Sequence, residues 1–390
     1  MTNTLADNAS DRRPKVAIIG AGPGGLTLAR LLHLANVPFT VFESDRSCES
    51  RRMTGGVLDL HPQTGQQAIR EAGLWDTYQK HASYEAEELV ITDHTNQVFY
   101  NTNGASRGRP EIDRPVLRDI LLHSVPDDRV RWNHHLKRVY VDGTLHFTDT
   151  VEKGFDLVVG ADGAWSKVRQ GLSTIQPFYS GSVCLELRIS RPDSIDPEMN
   201  DMLGHGSYLS YGGDDTVLHA QRQGDGSVRI YAFMRRPESW LKGCAVDLSD
   251  REAVKELLLK EYEHWCPELK RLIINCNETI VNRPLYMLPV GIRWPHKKHF
   301  TLLGDAAHVM TPFAGEGVNT AMYDALQLAH AIIDSQGALD DAVVNYEQKP
   351  FERATKVQQV TWEELLNTFE QDAGRRLAER YDYLVTLADE

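Results

Sequence analysis

The chain has no long apolar run. None of its 390 residues lies in a stretch that approaches the roughly 18 apolar residues needed to cross a bilayer. The first segment, residues 1–14, is polar and lacks the apolar centre of a secretory signal. We therefore predict a disordered arm over residues 1–14, no membrane-spanning segment and no membrane partner.

Cysteine is scarce, and its spacing argues against two kinds of site. The five cysteines form no C-x-x-C pair, and their odd number argues against a disulfide framework. The fifteen histidines include no H-E-x-x-H motif and no mixed Cys/His ligand spacing, so we predict no metal. Free thiols are typical of a reducing compartment, which favours a cytoplasmic protein. The cysteines are Cys48, Cys184, Cys244, Cys266 and Cys276.

The chain also lacks an excess of positive charge. Its 42 Lys and Arg against 55 Asp and Glu give a formal net charge of −13, which argues against nucleic acid as the main partner. The net charge says little about a small-molecule substrate, because the local charge at a binding site matters more. The length suffices for two domains with a sizeable core, and we expect a monomer or a weak homodimer.

A glycine-rich turn lies between a short apolar strand and a helix near the N-terminus. Gly20, Gly22 and Gly25 complete a G-x-G-x-x-G pattern, and a second strand over residues 37–42 ends in Glu43. This order is typical of a dinucleotide-binding unit, in which a pyrophosphate approaches the helix N-terminus and the acid binds ribose hydroxyls. An acid at this position favours FAD or NAD over NADP.

A second glycine-rich stretch follows another buried strand late in the chain. Residues 300–303 lead into an acidic turn at Gly304–Asp305, and a loop with Gly315 and Gly317 runs into a helix that begins near Val318. Asp305 can accept hydrogen bonds from a ribityl or ribose hydroxyl. The helix N-terminus favours negative charge, such as the N1–C2=O edge of a reduced flavin.

A helix with two arginines on one face is predicted over residues 111–123. Asp113 is expected to cap it, and Pro115 lies in the first turn, where its missing N–H costs nothing. Arg114 and Arg118 are four residues apart and share a face. This face either contacts a cofactor or is a solvated charged surface.

A third motif occupies residues 155–169. It consists of a buried strand, a G-A-D-G turn that contains Asp162, and a helix that opens with Ser166 and includes Arg169. With the other two motifs, it resembles the single-component (class A) FAD-dependent aromatic hydroxylases of the para-hydroxybenzoate hydroxylase type. In that family the G-A-D-G motif serves FAD and the access of the nicotinamide cofactor.

The resemblance implies roles for individual residues. In the family, the Asp of the G-D turn contacts the FAD ribityl, a proline lies beside the isoalloxazine where oxygen reacts, and the G-x-G-x-N loop binds the pyrimidine edge. Catalytic roles are thereby implied for Pro312 and Gly315. Cofactor-binding roles are implied for Gly20, Gly22, Gly25, Glu43, Arg118, Asp162, Asp305, Pro312, Gly315, Gly317, Val318 and Asn319.

The resemblance also implies an architecture. The expected class is α/β, with a Rossmann-like FAD domain of the GR2 type, an inserted β-sheet substrate domain and a C-terminal helix. The predicted boundaries are 15–80, 104–175 and 292–345 for the FAD-binding domain, 81–103 and 176–291 for the substrate-binding domain, and 346–390 for the C-terminal bridging helix.

The segment G-G-V-L-D-L-H over residues 55–61 resembles the tetracycline-inactivating branch of this family. It is either a loop under the flavin domain, in which Asp59 and His61 are structural hydrogen-bonders, or a part of the active site. That branch carries a variant of the G-A-D-G turn, whereas this chain keeps the aspartate, Asp162, at the turn.

Alternation predicts which side chains of the substrate sheet share a face. Cys184, Glu186 and Arg188 share one face, as do Arg229, Tyr231 and Phe233. We predict Glu186, Arg229 and Tyr231 as substrate-binding residues that suit a phenol, carbonyl or amide. The alternative is that they point outward into solvent.

The resemblance implies an NAD(P)H-dependent monooxygenase. NAD(P)H would reduce FAD, O2 would form a C4a-hydroperoxyflavin, and an aromatic or polycyclic small molecule would be hydroxylated or epoxidised, in secondary metabolism or antibiotic inactivation. The alternatives are an FAD-dependent dehydrogenase or reductase of the same fold, and a flavin- or ligand-binding protein without turnover. The choice between NADH and NADPH stays open.

Overall fold

The structure, a computed structural model, describes residues 13–51, 55–106, 108–244 and 246–389. Most of the predicted arm, residues 1–12, lies outside this part. The strands are β1 (Val16–Ile19), β2 (Phe39–Phe42), β3 (Val57–Asp59), β4 (Leu89–Asp93), β5 (Val98–Asn101), β6 (Glu111–Asp113), β7 (Val130–Arg131), β8 (Leu136–Val139), β9 (Leu145–Phe147), β10 (Val151–Glu152), β11 (Leu157–Gly160), β12 (Phe178–Ile189), β13 (Ser207–Tyr211), β14 (Thr216–Arg222), β15 (Val228–Arg235), β16 (Val281–Met287) and β17 (Phe300–Leu302).

Helices connect and cover these strands. They are α1 (Pro23–Leu34), α2 (Gly65–Glu71), α3 (Trp75–Gln79), α4 (Arg114–His123), α5 (Lys167–Leu172), α6 (Pro192–Ile195), α7 (Pro197–Leu203), α8 (Trp240–Gly243), α9 (Arg251–Glu261), α10 (Pro267–Ile274), α11 (Asp305–His308), α12 (Gly317–Ile333), α13 (Leu339–Thr368) and α14 (Ala373–Asp389). Among the described residues, no helix has both the length and the apolar character needed to cross a membrane.

A five-stranded parallel sheet positions the three motifs. Its strand order is β17-β11-β1-β2-β7, and every pair in it is parallel. The residues of β1 and β11 are fully buried, as expected for short apolar strands covered on both faces. Because β17, β11 and β1 are neighbours, the turns that follow them meet at one edge of the sheet.

A seven-stranded sheet forms the second layer. Its order is β16-β12-β15-β14-β13-β4-β5, and all pairs are antiparallel except β13 with β4. One face, which carries Leu185, Leu187 and Ile230, packs on Val254 of α9 and Leu272 of α10. The opposite face is turned towards the turns of the parallel sheet.

Two long helices follow the parallel sheet. Helix α13 begins at Leu339, before the predicted start of 346, and continues through Pro350. Helix α14 packs against β4 and β5. The predicted α/β class with a parallel, Rossmann-like sheet is confirmed. The division of the chain into cofactor and substrate domains stays a prediction.

One predicted helix start is wrong. Residues 111–113 form β6, which pairs with β3, and the helix begins only at Arg114. Asp113 occupies the position before the helix in an extended conformation, but its side chain makes no capping hydrogen bond. It accepts a hydrogen bond from the Gly224 N–H at 3.2 Å instead, because the turn between β14 and β15 lies beside it.

Candidate active site

The turn between β1 and α1 lets an anion approach the helix N-terminus. A Cβ on Gly25 would collide with the carbonyl oxygen of Gly20, so Gly25 has no room for a larger residue. A Cβ on Gly22 would meet no protein atom within 4 Å. Helix α1 begins without a side-chain cap and without an acid in its first turn, which leaves its N–H groups open to a phosphate.

Glu43 and Arg118 are both buried and hold this turn from two sides. The Glu43 carboxylate accepts hydrogen bonds from the backbone N–H groups of Ala21 at 2.6 Å and Asp45 at 2.9 Å. Arg118 donates to the Ala21 carbonyl oxygen and to the Asp45 carboxylate, each at 3.3 Å. The structure therefore brings both predicted residues to the glycine-rich turn, whereas Arg114 is exposed. Ribose binding by Glu43 stays a prediction.

The Gly304–Asp305 turn is supported by a buried acid. Asp324 of α12 accepts a hydrogen bond from the Gly304 N–H at 3.0 Å and lies 2.6 Å from His308 Nε2. It also pairs with Arg353. Burial alone would raise the pKa of Asp324, but its interactions with His308 and Arg353 lower it below the ordinary value. Asp305 itself stays exposed beyond the end of β17.

Arg169 joins the G-A-D-G turn to the short helix after β17. It is fully buried, and it donates hydrogen bonds to the carbonyl oxygens of Ala306 at 2.9 Å and Ala164 at 2.6 Å. The Asp162 carboxylate accepts a hydrogen bond from the Ser166 hydroxyl at 2.5 Å. Asp162 therefore supports the start of α5, and its predicted contact with the cofactor stays a prediction.

The loop over residues 312–316 leads into the open N-terminus of α12. Gly315 has φ 68°, a left-handed conformation that glycine adopts readily, and α12 begins without a side-chain cap. Asn319 is fully buried, and its side chain donates to the Asp59 carbonyl oxygen and accepts from the His61 N–H, each at 2.8 Å. A flavin edge at this loop would therefore use backbone N–H groups rather than the Asn319 amide.

The seven-stranded sheet covers this loop with aromatic side chains. The ring of Phe233 lies 5.0 Å from that of Phe313, measured between centroids. A Cβ on Gly56 would collide with the hydroxyl of Tyr231 and lie 3.0 Å from Gln221 Oε1. Tyr231 therefore faces the residues that lead into β3, and burial raises the pKa of its phenol above the ordinary value.

Glu186 and Arg229 lie on the same face and pair with each other. The second oxygen of Glu186 pairs with Arg283 of β16, a residue that sequence reasoning missed. No local signal in the sequence marks this residue, because only the non-local pairing of β12 with β16 brings it to Glu186. Glu186 and Arg229 are 4% and 7% exposed, so neither is an outward, solvated residue.

This ion-pair cluster lines a cavity of about 430 Å³. Within the described residues, the Nε of Arg229 is buried and has no hydrogen-bond partner. The cluster's two arginines carry more hydrogen-bond donors than the single Glu186 carboxylate can accept, so the cavity suits a ligand that brings an oxygen acceptor. His219, on the neighbouring strand β14, is neutral at physiological pH because burial lowers its pKa to about 3.

Comparisons with known proteins identify the family. Residues 13–192 and 293–361 match the FAD-binding domain family. The monooxygenase penA of Penicillium thymicola is 34% identical, over 93% of this chain and 97% of its own length. HpxO of Klebsiella pneumoniae, solved with FAD and uric acid, has a TM-score of 0.76 at 21% identity and covers 94% of this chain and 92% of its own. The tetracycline destructase Tet(51) has a TM-score of 0.69 at 17% identity, over 96% and 95% of the two chains.

The chain belongs to the FAD-dependent monooxygenases of the para-hydroxybenzoate hydroxylase type. This confirms the resemblance on which the sequence predictions rest. The geometry of the site also fits FAD: the glycine-rich turn leaves an uncapped helix N-terminus open beside Gly22, and Asp305 is an exposed residue beyond the end of β17. The two solved structures share the fold with this chain at identities that carry no statement about substrate.

Proposed function

We propose that the protein uses NAD(P)H and O2 to hydroxylate or epoxidise an aromatic or polycyclic small molecule. The observation that carries this proposal is the meeting of three turns at one edge of the parallel sheet, beneath an aromatic face of the second sheet. The uncapped N-termini of α1 and α12 and the exposed Asp305 lie at these turns. This arrangement suits a flavin that faces a flat, apolar substrate.

Bound FAD would supply the redox chemistry, accepting a hydride from NAD(P)H and activating O2. The residues 20–25 would hold its pyrophosphate, and Asp305 its ribityl hydroxyls. The N-terminus of α12 would favour the negative charge of the reduced ring. Pro312 and Gly315 would border the reacting position. Phe233 and Phe313 would keep water from it, which protects a reactive oxygen species from wasteful decay.

The substrate-facing residues support a substrate with an aromatic body and a polar end. Tyr231 and Phe233 provide the apolar surface, and Glu186, Arg229 and Arg283 provide the polar end. The name of one relative, zeaxanthin epoxidase of Oryza sativa, supports epoxidation as one form of this oxygenation. We infer a role in secondary metabolism or antibiotic inactivation.

Turnover of the purified, FAD-loaded protein under ¹⁸O2 tests this function. With NADH or NADPH and a panel of phenols, indoles and fused-ring compounds, we expect substrate-dependent NAD(P)H consumption and a product that carries one ¹⁸O atom. A product that is oxidised or reduced but carries no ¹⁸O would support the dehydrogenase alternative. Failure of the protein to bind FAD would overturn the proposal.

We further propose a cytoplasmic protein that works as a monomer or a weak homodimer. All five cysteines are free thiols, which supports a reducing compartment. Light scattering coupled to size-exclusion chromatography at two protein concentrations tests the oligomeric state. A concentration-independent mass of two chains or more would contradict it.

A further inference from the structure

A cluster of four charged side chains lies beside the loop that leads into α12. His61 Nε2 is 3.1 Å from Asp59 Oδ2, and His61 Nδ1 is 3.4 Å from Glu316 Oε1. Arg109 Nη1 lies 3.2 Å from His61 Nε2. The cluster joins three separate segments: the end of β3, the stretch before β6, and the residue that immediately precedes α12.

His61 is the centre of this cluster and carries a charge. Its side chain is 8% exposed, and burial alone would favour the neutral ring. The hydrogen bonds with Asp59 and Glu316 outweigh burial and the opposing charge of Arg109, and they raise the pKa of His61 to about 9. At physiological pH, a protonated His61 therefore forms ion pairs with both carboxylates, through Nε2 with Asp59 and through Nδ1 with Glu316.

Glu316 occupies a position from which it could block the flavin site. It is the residue before α12, flanked by Gly315 and Gly317, and a carboxylate there can accept hydrogen bonds from the first N–H groups of its own helix. In the structure it makes no such cap. Its carboxylate is turned aside to His61, so the N–H groups of the α12 N-terminus stay available to another anion.

We propose that His61 is a positioning residue that holds the Glu316 carboxylate away from the N-terminus of α12 and so keeps this terminus open for the reduced flavin. The inference rests on the proposed placement of the flavin ring at residues 312–319. Without His61, Glu316 would compete with the flavin for the same N–H groups. The competition would be stronger against the reduced, negatively charged ring than against the oxidised ring, because two anions would then share one helix terminus.

The test compares FAD binding and the midpoint potential of bound FAD in four proteins: wild type, His61→Gln, Glu316→Gln and the double variant. For His61→Gln we expect the dissociation constant of oxidised FAD to rise about tenfold, the worth of one charge-assisted hydrogen bond. A further tenfold loss for reduced FAD would lower the midpoint potential by about 30 mV, because FAD is a two-electron couple.

The double variant decides the matter, since removing the charge of Glu316 removes the competitor. We expect it to return to within about twofold of wild-type FAD affinity. A double variant as weak as His61→Gln, or a His61→Gln protein with unchanged affinity and potential, would overturn the inference. A merely structural His61 would weaken both redox forms equally, and the potential would not move.

The chain offers a matched control on the same helix. His330 pairs with Glu71 at 2.8 Å and joins α12 to α2 near the far end of α12. We expect His330→Gln to leave FAD affinity and potential unchanged, whereas a shift as large as that of His61→Gln would overturn the inference. A wild-type protein that binds no FAD would overturn the proposed function itself, which separates the two failures.

Discussion

Several side chains in this site form hydrogen bonds to the backbone of the turns around them. Arg169 donates to two backbone carbonyl oxygens, Asp324 accepts from the Gly304 N–H, and Asn319 fastens Asp59 and His61. A motif in the sequence shows that these residue types occur together. It does not show whether a side chain contacts the cofactor or a neighbouring turn, because both uses need the same hydrogen-bonding groups.

Asp324→Asn tests the importance of the buried support beneath the Gly304–Asp305 turn. Asn can still accept from the Gly304 N–H, but it leaves Arg353 and His308 without their counter-charge. We expect a loss of about 3–5 kcal/mol in the free energy of unfolding, the usual cost of breaking a buried ion pair. Urea unfolding of the FAD-loaded protein measures it. Asp334→Asn, an exposed acid just after the same helix, should change stability little, and equal losses in the two variants would contradict this view.

His61 gives the stability a defined pH dependence. The folded protein raises its pKa from 6.5 to about 9, so the stabilisation is fully present below pH 6.5 and is lost as the pH rises through 9. The shift corresponds to about 3 kcal/mol. The gap in unfolding free energy between wild type and His61→Gln, measured in urea, should therefore shrink by about this amount between pH 6 and pH 10. A gap that stays constant would mean that His61 is not charged in the fold.

At the scale of elements, the sequence predicts most of the strands, turns and helices that surround the candidate FAD site. The two strands and the helix around the glycine-rich turn, and the strand, turn and helix around Asp305, have local signals: apolar runs, glycines and an acid. The prediction is wrong at residues 111–113. There the pairing with β3, a contact between distant parts of the chain, makes a strand of residues that local signals place in a helix.

Two glycines of the same turn should respond differently to alanine. In Gly25→Ala the new Cβ meets the Gly20 carbonyl oxygen, so we expect the melting temperature of the apoprotein to fall by several degrees. In Gly22→Ala the new Cβ meets no protein atom, so the apoprotein should melt as wild type does. FAD affinity should still fall at least about tenfold, since the methyl group takes the room of the pyrophosphate. Equal melting losses in both variants would contradict this division.

At the scale of the whole molecule, the sequence does not predict how the two sheets are placed relative to each other. Alternation predicts that Arg229, Tyr231 and Phe233 share a face, but not that this face covers the loop at Phe313. The strand partners of β12 come from β15 and β16, and only this pairing brings Arg283 to Glu186. Non-local pairing of this kind leaves no local pattern in the chain. For this reason the sequence predicts Glu186 and Arg229 at the polar end of the candidate substrate cavity but not Arg283.

Arg283→Gln tests whether this cavity binds an oxygen acceptor. The ion-pair cluster has two arginines for one carboxylate, so its spare donors should favour 2-naphthoate and 2-naphthamide over 2-isopropylnaphthalene, which has a similar shape but no acceptor. We expect Arg283→Gln to weaken naphthoate binding about tenfold, with a smaller loss for the amide and none for the hydrocarbon. Perturbation of the flavin absorbance on titration measures all three. Arg235→Gln, on β15 outside the cavity, is the control. If all three compounds bind alike, or if the variant weakens all three equally, the cavity does not select its ligand by an acceptor oxygen.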